Sequence, residues 1–251
     1  MLAIALAIAV TLAAEPAPAP PQRFVNTTGK TALRKLERAN DVSVVVISRA
    51  GTSVAFDPRS GAVPADVTAL THDHQVEEHV TGEPRWKYYR TLRGDEPGVL
   101  VRPGRTAVKD VVLTGIAASH YGKEITSPPD YVIWLLEADG LRIAYFPCIV
   151  QETFTPEQRA ALGRVDVAIF NAEDDRDGRR NVRSFNLARQ LRPSVLIPLT
   201  HGDGSYELAL GQIEDLGARI VTQNDPLLLG KDELAGLGER VVDLMATAAM
   251  P

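Results

Sequence analysis

Short runs of β-branched and aromatic residues, separated by glycine and proline turns, recur along the chain between residues 42 and 146. Such runs predict β-strands, and a hairpin turn at 49–51 joins the first two. A second hairpin turn is predicted at Ala138-Asp139-Gly140. One helix is predicted among these strands, because Leu33 and Leu36 have helical spacing within the charged segment 31–40. The predicted strands lie at 42–47, 52–56, 65–70, 86–92, 98–102, 108–116, 131–137 and 141–146.

Beyond residue 150, strands and helices alternate. Thr155 and Pro156 are a typical N-cap and first residue of a helix, so a helix is predicted to begin there. Further strands are predicted at 165–170, 194–198 and 218–221, with helices at 184–191 and 206–216. A β-rich half followed by a βα half, without a solenoid repeat, indicates one domain over residues 22–251.

The first 21 residues differ from the rest of the chain. Residues 1–14 form an unbroken apolar run, and a proline-rich segment follows at 15–21. The run is too short to span a bilayer comfortably, and its Ala-rich end resembles an export signal, although no Lys or Arg precedes it. We therefore expect 1–21 to be a signal peptide and Pro-rich tether. The protein would be periplasmic or secreted, with this segment either cleaved, leaving no stable membrane span, or kept as an anchor.

Composition narrows the class of partner. Hydrophobic residues make up 45% of the chain, which is enough for a substantial core, and the net charge is −5 with a pI near 5.6. An acidic chain argues against a nucleic-acid partner, which requires a basic face, and favours a small-molecule substrate. The single cysteine, Cys148, excludes an intramolecular disulfide and is either buried and inert or bound to a metal.

The five histidines occupy positions that a metal site could use. His72 and His74 are one residue apart at the end of a predicted strand, so both imidazoles can reach one ion. His120 and His201 each follow another predicted strand. Neutral imidazole is a preferred ligand of zinc and its neighbours among the transition metals. This set predicts one or two divalent ions, most simply zinc, with manganese or iron as the other candidates.

The segment 65–74 (ADVTALTHDH) resembles the signature of the metallo-β-lactamase superfamily, in particular its branch of ascorbate-phosphate-lactonase-like hydrolases. The order and spacing are similar from about residue 44 to residue 201, which is most of the chain beyond the N-terminal segment. The further matching features are Asp57-Pro58, Pro103-Gly104 ahead of His120, the Asp139-Gly140 turn, and Pro198 three residues before His201.

This resemblance implies an α+β fold, a four-layer αββα sandwich in which two sheets face each other and helices cover both outer faces. The metals of such proteins lie at strand ends along one edge. The resemblance also implies a metal-dependent hydrolase that uses a metal-bound hydroxide on a small ester, lactone or phosphoester. The ligands it implies are His72, His74, His120 and His201.

The motif departs from the superfamily pattern His-x-His-x-Asp-His, because Val76 and Glu77 occupy its last two positions. Valine cannot bind a metal, whereas the Glu77 carboxylate can bind zinc, manganese or iron. The family's bridging aspartate falls at Cys148, which could bind a metal as a thiolate or could be a small buried residue at a strand end. His79 is expected at the surface or beside a ligand.

Three arrangements of the site stay open. His72, His74 and His120 could hold one ion with a fourth position for water. Cys148 and His201 could add a second ion, with or without the carboxylate at position 77. In the third arrangement the fold persists without turnover. The alternative to a hydrolase is therefore a catalytically impaired protein of the same fold that binds a metal or a partner.

Two supporting residues complete the expectation. Asp57 could hold a histidine in one tautomer, or could simply begin a turn. Tyr121, beside His120, could line the pocket or donate a hydrogen bond to a developing oxyanion. Tyr121 and Glu77 are therefore the candidate catalytic residues.

Overall fold

The computed structural model describes residues 25–35, 43–58, 64–72, 98–120, 124–172, 182–200, 206–224, 226–234 and 239–245. Within these residues two β-sheets face each other. The first contains β1 (Thr31–Lys35), β2 (Val44–Ile47), β3 (Ser53–Phe56), β4 (Val67–Ala69), β5 (Val99–Leu100) and β13 (Leu227–Leu229), in the order β13-β1-β2-β3-β4-β5.

The second sheet has eight strands in the order β12-β14-β11-β10-β9-β8-β7-β6. They are β6 (Gly104–Val108), β7 (Val111–Ala118), β8 (Tyr131–Ala138), β9 (Leu141–Phe146), β10 (Val167–Asn171), β11 (Val195–Leu199), β12 (Ile220–Asn224) and β14 (Arg240–Met245). The helices of the described residues are α1 (Pro156–Leu162), α2 (Val182–Arg189), α3 (Tyr206–Asp215) and α4 (Lys231–Leu234). None of these helices is long and apolar enough to cross a membrane.

The core has layers because strand side chains alternate between two faces. In β8, Val132, Trp134 and Leu136 belong to the cluster between the two sheets. Ile133 and Leu135 belong to a second cluster, on the outer face, where α1, α2 and α3 pack. Strands buried on both faces explain why β8 is an almost continuous apolar run in the sequence.

Most of the predicted strands are present, but the predicted helix at 31–40 is wrong where the structure describes it. Residues 31–35 form β1, which pairs with β2 on one side and β13 on the other. Leu33 is fully buried between the sheets, so tertiary pairing overrides the helical spacing. The predicted strand at 108–116 is divided into the β6–β7 hairpin by a turn at Lys109, whose φ is 51°. The predicted strand at 86–92 lies outside the described residues.

The strand directions bring several carboxyl ends to one edge. β3 and β4 are parallel, as are β9, β10 and β11, and β7 runs with β9 because both are antiparallel to β8. The Val132 amide, at the start of β8, donates to the Thr71 carbonyl just beyond β4, at 2.6 Å. This bond joins the end of the first sheet to the ends of β7 and β9. We call this side of the sandwich the site edge.

At the opposite edge, aspartates join the sheets. Asp139 in the β8–β9 turn accepts hydrogen bonds from the Thr31 hydroxyl at 2.6 Å and the Arg49 amide at 2.7 Å. Asp66, just before β4, accepts from Lys109 of the β6–β7 turn at 2.6 Å. Hydrogen bonds between the two sheets therefore stabilise this edge, while the candidate ligands lie at the site edge.

We expect Asp139→Gly to lower the free energy of unfolding by about 1–3 kcal/mol, because two donors lose their acceptor. Glycine retains the left-handed backbone at this position, where φ is 52°. Asp139→Asn is the matched control, since asparagine also tolerates positive φ and keeps an acceptor oxygen, and its loss should be below about 0.5 kcal/mol. Urea denaturation measures both. Equal stability of the two variants would contradict this account.

We expect the ionised Asp66 carboxylate to contribute to the free energy of unfolding in a way that depends on pH. Burial acts to raise the pKa of this carboxyl, but hydrogen bonds from Lys109 and Ser53 and the Lys109 charge outweigh burial and hold the pKa below its ordinary value. The unfolded state therefore binds the proton more readily, so this stability is present above the unfolded pKa of about 3.9 and is lost as pH falls through the folded pKa. The difference in unfolding free energy between the unaltered chain and Asp66→Asn should shrink below pH 4. If this difference in unfolding free energy stayed constant from pH 6 to pH 2.5, the contribution of the ionised Asp66 carboxylate would be refuted.

Candidate metal centre

Three potential metal ligands meet at the site edge. His72, His120 and Cys148 follow the carboxyl ends of β4, β7 and β9. Their ligand atoms all lie within 4.8 Å of one another. The two imidazole rings are 4.3 Å apart between centroids and are buried, at 7% and 8% exposure, while Cys148 is half-buried. Residues separated by up to 76 positions in the sequence thus converge on one point.

Tyr131 lies against all three of these residues. Its ring stacks on His72 and His120 at centroid distances of 5.6 and 5.9 Å, and its hydroxyl accepts a hydrogen bond from the Cys148 amide at 3.1 Å. Burial raises the pKa of Tyr131 well above its ordinary value, and the nearby Cys148 and Asp57 act in the same direction. The phenol hydroxyl therefore stays protonated, and the Tyr131 ring packs against the two imidazoles.

A buried hydrogen-bonded chain leads from Asp57 to His72. The Thr71 amide and hydroxyl donate to the two carboxylate oxygens of Asp57 at 2.8 and 2.7 Å. The same hydroxyl lies 2.8 Å from His72 Nδ1. Because the hydroxyl proton is directed to Asp57, its oxygen accepts from a proton on Nδ1. This arrangement leaves the lone pair of His72 on Nε2, where an ion can use it.

Asp57 also contacts the second sheet. The Tyr145 hydroxyl, on β9, donates to its Oδ2 atom at 3.1 Å, and burial raises the pKa of Tyr145 well above its ordinary value. Asp57 has a φ of 41°, in the left-handed region that aspartate tolerates better than most residues. The chain thus turns sharply after β3, and the carboxylate is directed back between the sheets.

The backbone around His120 is held from two sides. The His120 amide donates to Asp130 Oδ1 at 3.2 Å, and the Ser119 amide donates to Gln151 Oε1 at 3.3 Å. Gln151 follows Cys148 by three residues, so one side chain links the two segments that bear these ligands.

The chemistry of the three donors fits a metal ion. Two imidazoles and a thiolate are ligands that zinc prefers, with bonds of about 2.0–2.3 Å. Tetrahedral coordination at these lengths separates the ligand atoms by roughly 3.3–3.8 Å. Separations within 4.8 Å therefore require a small contraction around an ion and no rearrangement of the strands.

The structure brings three of the predicted ligands together, because the Cys148 sulfur lies beside His72 and His120. The number of ions that they bind stays a prediction. Asp57 reaches His72 through Thr71 and has a left-handed backbone after β3, and its role in holding the histidine tautomer also stays a prediction. The other predicted site residues lie outside the described residues: His74, Glu77, His79, Tyr121 and His201.

Sequence reasoning missed several residues that shape the site. Thr71 had a detectable signal, since a hydroxyl directly precedes the first histidine. Tyr131 had none, because an aromatic residue at the start of an apolar strand is ordinary for a core. Gln151 and Gln158 also had none, since their pairing depends on where the loop after β9 folds.

Comparison with known proteins finds a matching family model and similar folds. A family model described as a β-lactamase superfamily domain matches residues 40–200. No curated protein matches the chain. Among solved structures, the chain is similar to a protein of the metallo-β-lactamase superfamily from Thermotoga maritima. The TM-score is 0.60 at 18% identity, over 86% of this chain and 100% of that chain.

A second similar structure is CmlA, a diiron β-hydroxylase from Streptomyces venezuelae. Its TM-score is 0.51 at 12% identity, over 86% of this chain and 52% of that chain. These likenesses show the fold, so the expected metallo-β-lactamase sandwich is confirmed. Membership of the ascorbate-phosphate-lactonase-like branch stays a prediction.

We expect Thr71→Val to release the tautomer of His72, because valine can neither accept from Nδ1 nor donate to Asp57. Thr71→Ser retains the hydroxyl and is the matched control. In ¹⁵N NMR spectra of the metal-free protein, the unaltered chain and the serine variant should show His72 protonated on Nδ1, while the valine variant should show a mixture of tautomers. Identical nitrogen shifts of His72 in all three proteins would rule out the hydrogen bonds that link Asp57 to His72 through Thr71.

Proposed function

Since this chain belongs to the β-lactamase superfamily, we propose that it is a metal-dependent hydrolase whose ion is held by His72, His120 and Cys148. The observation that carries the proposal is the convergence of two imidazoles and one thiol within 4.8 Å at the ends of three strands. His74 and His201 come soon after β4 and β11 in the sequence, and we propose them as further ligands. The histidine at 74 shares the His-x-His motif with His72.

We propose zinc as the ion, and one ion in place of two. A thiolate among the ligands favours zinc over manganese, which prefers oxygen ligands. The similar structure CmlA is named a diiron protein, but a second ion needs its own ligands. In this chain Val76 and Glu77 replace the Asp-His pair that the superfamily pattern places there. Among the described residues, one group of three potential ligands is present.

The side chains around the site suit hydrolysis. When bound, zinc supplies a Lewis acid that polarises a carbonyl or phosphoryl oxygen and lowers the pKa of a water ligand towards neutrality. Thr71 and Asp57 hold the His72 ring so that Nε2 is available. The Tyr131 ring packs against both imidazoles, and its hydroxyl remains protonated because burial raises its pKa. Glu77 and Tyr121 remain the proposed candidates for proton transfer and for contact with a developing oxyanion.

We propose a small ester, lactone or phosphoester as the substrate and an exported location for the protein. The superfamily resemblance supports the substrate class, because hydrolysis of such bonds needs a Lewis acid and an activated water. The acidic composition supports a small molecule over a nucleic acid. The apolar run at 1–14 and the proline-rich segment after it support export to the periplasm or beyond the cell.

Val76 favours a second candidate function. Because valine cannot bind a metal, the motif has lost one ligand of the superfamily pattern, and the protein could bind a metal or a partner without turnover. The two candidates share the ligands His72, His120 and Cys148. They differ in whether a bound ion is accompanied by hydrolysis.

The metal content of the purified chain separates these functions. We expect about one zinc ion per chain by elemental mass spectrometry, and loss of that ion in His72→Ala and in Cys148→Ala, since each removes a ligand. Asp139→Asn, at the opposite edge, is the control and should retain the ion.

Hydrolysis of small chromogenic esters, lactones and phosphoesters by the zinc-loaded chain, absent in His72→Ala, would support the enzyme. A full zinc content without hydrolysis would support the binding protein. Failure to bind zinc, manganese or iron would overturn the metal centre itself.

A further inference from the structure

Two buried glutamines form a hydrogen-bonded pair next to the segments that bear His120 and Cys148. Gln151 and Gln158 are 5% and 2% exposed. Each amide nitrogen donates to the other residue's amide oxygen, and both distances are 3.1 Å. Gln158 belongs to the first turn of α1, and Gln151 lies in the loop that follows Cys148.

The remaining hydrogen-bonding capacity of the pair is used by backbone groups. Gln158 donates its second N–H to the Ala117 carbonyl at 2.8 Å, and its oxygen accepts from the Thr155 amide at 3.0 Å. Gln151 accepts from the Ser119 amide at 3.3 Å and donates to the Thr153 carbonyl at 3.4 Å. Each amide thus makes two donations and accepts two hydrogen bonds, which is its full capacity.

The pair extends the β-sheet where a strand ends. β6 pairs with β7 as far as Gly115, opposite Gly104. Farther along β7, the Ala117 carbonyl and the Ser119 amide lie on one side of the strand, because residues two apart point the same way. The glutamine amides bond these two groups as a neighbouring strand would. The two glutamine side chains therefore fix the end of β7 and Ser119, the residue directly before His120.

The same pair also fixes the segment of Cys148. Gln151 is three residues beyond Cys148, and its amide bonds to Gln158 and to Ser119. The capping box of α1 holds Gln158 in place, because the Thr155 hydroxyl accepts a hydrogen bond from the backbone N–H of Gln158 at 3.2 Å. One network thus connects the end of β7, the loop after β9 and the start of α1.

We infer that the Gln151–Gln158 pair is a positioning element of the metal centre, which sets the separation of His120 and Cys148 so that both bind one ion. This inference rests on the proposed function, because it assumes that these two residues are ligands. The glutamines do not contact the ion. They act through the backbone at Ser119 and through the three residues that separate Cys148 from Gln151.

A purely structural role would have a different signature. If the pair served only to begin α1, then any change that weakens the start of α1 would have the same effect. Thr155→Ala provides this comparison, because it removes the N-cap hydroxyl and leaves both glutamine amides in place. Both kinds of variant should lower the thermal stability, but the glutamine variants alone should change the metal centre.

The test uses Co²⁺ as the probe, titrated into the metal-free full chain. Co²⁺ bound by a thiolate has a charge-transfer band in the near ultraviolet, so the band reports whether Cys148 shares the ion. We expect Gln158→Met, which has a similar length and no amide, to weaken Co²⁺ binding about 10–100-fold and to reduce the band at saturation. Thr155→Ala should retain both the affinity and the band.

Gln151→Met serves as a second variant, which removes the acceptor facing Ser119 and the donors to Gln158 and Thr153 without adding a charge. It should weaken Co²⁺ binding and reduce the band as Gln158→Met does. Unchanged affinity and an unchanged band in both glutamine variants, with lower melting temperatures, would overturn the inference and leave the proposed function intact. Failure of the unaltered chain to bind Co²⁺, or binding without the band, would overturn the Cys148 ligand and the inference with it.

Discussion

The buried carboxylate of Asp57 is the constraint on which the site edge depends. At 1% exposure it must be given hydrogen-bond donors, since an unsatisfied buried charge costs several kcal/mol. Thr71 supplies two of them from the first sheet, and Tyr145 supplies another from the second. The groups that satisfy this charge also direct the His72 ring. The stability of the sandwich and the geometry of the candidate metal centre therefore rest on the same contacts.

The alternation of apolar residues was sufficient to predict most strands, because a strand such as β8 buries both of its faces. It failed at β1, where Leu33 has helical spacing but its neighbours pair with β2 and β13. The pairing with β13 joins segments almost two hundred residues apart, and no local pattern records it. The sequence pattern also missed β13, at an edge of the first sheet, β14, between β12 and β11 in the second sheet, and the short helix α4.

The candidate site could be predicted in part. His72 and His120 follow from the occurrence of a histidine just beyond a strand, and Cys148 follows from a family resemblance. The order of strands in the sheets decides which of these residues meet, and it places Cys148 beside His72 and His120. Tyr131 and the glutamine pair belong to no motif, since their roles arise from contacts across the sandwich.

The Gln151–Gln158 pair has a consequence for how such a protein can diverge. Because every donor and acceptor of the two amides is used, replacing either glutamine leaves buried polar groups of the other, and of the backbone, unsatisfied. A single replacement is therefore harmful, while two complementary replacements could be tolerated. The two positions should behave as one epistatic unit during evolution, inherited together or exchanged together among descendants that retain a cysteine at position 148.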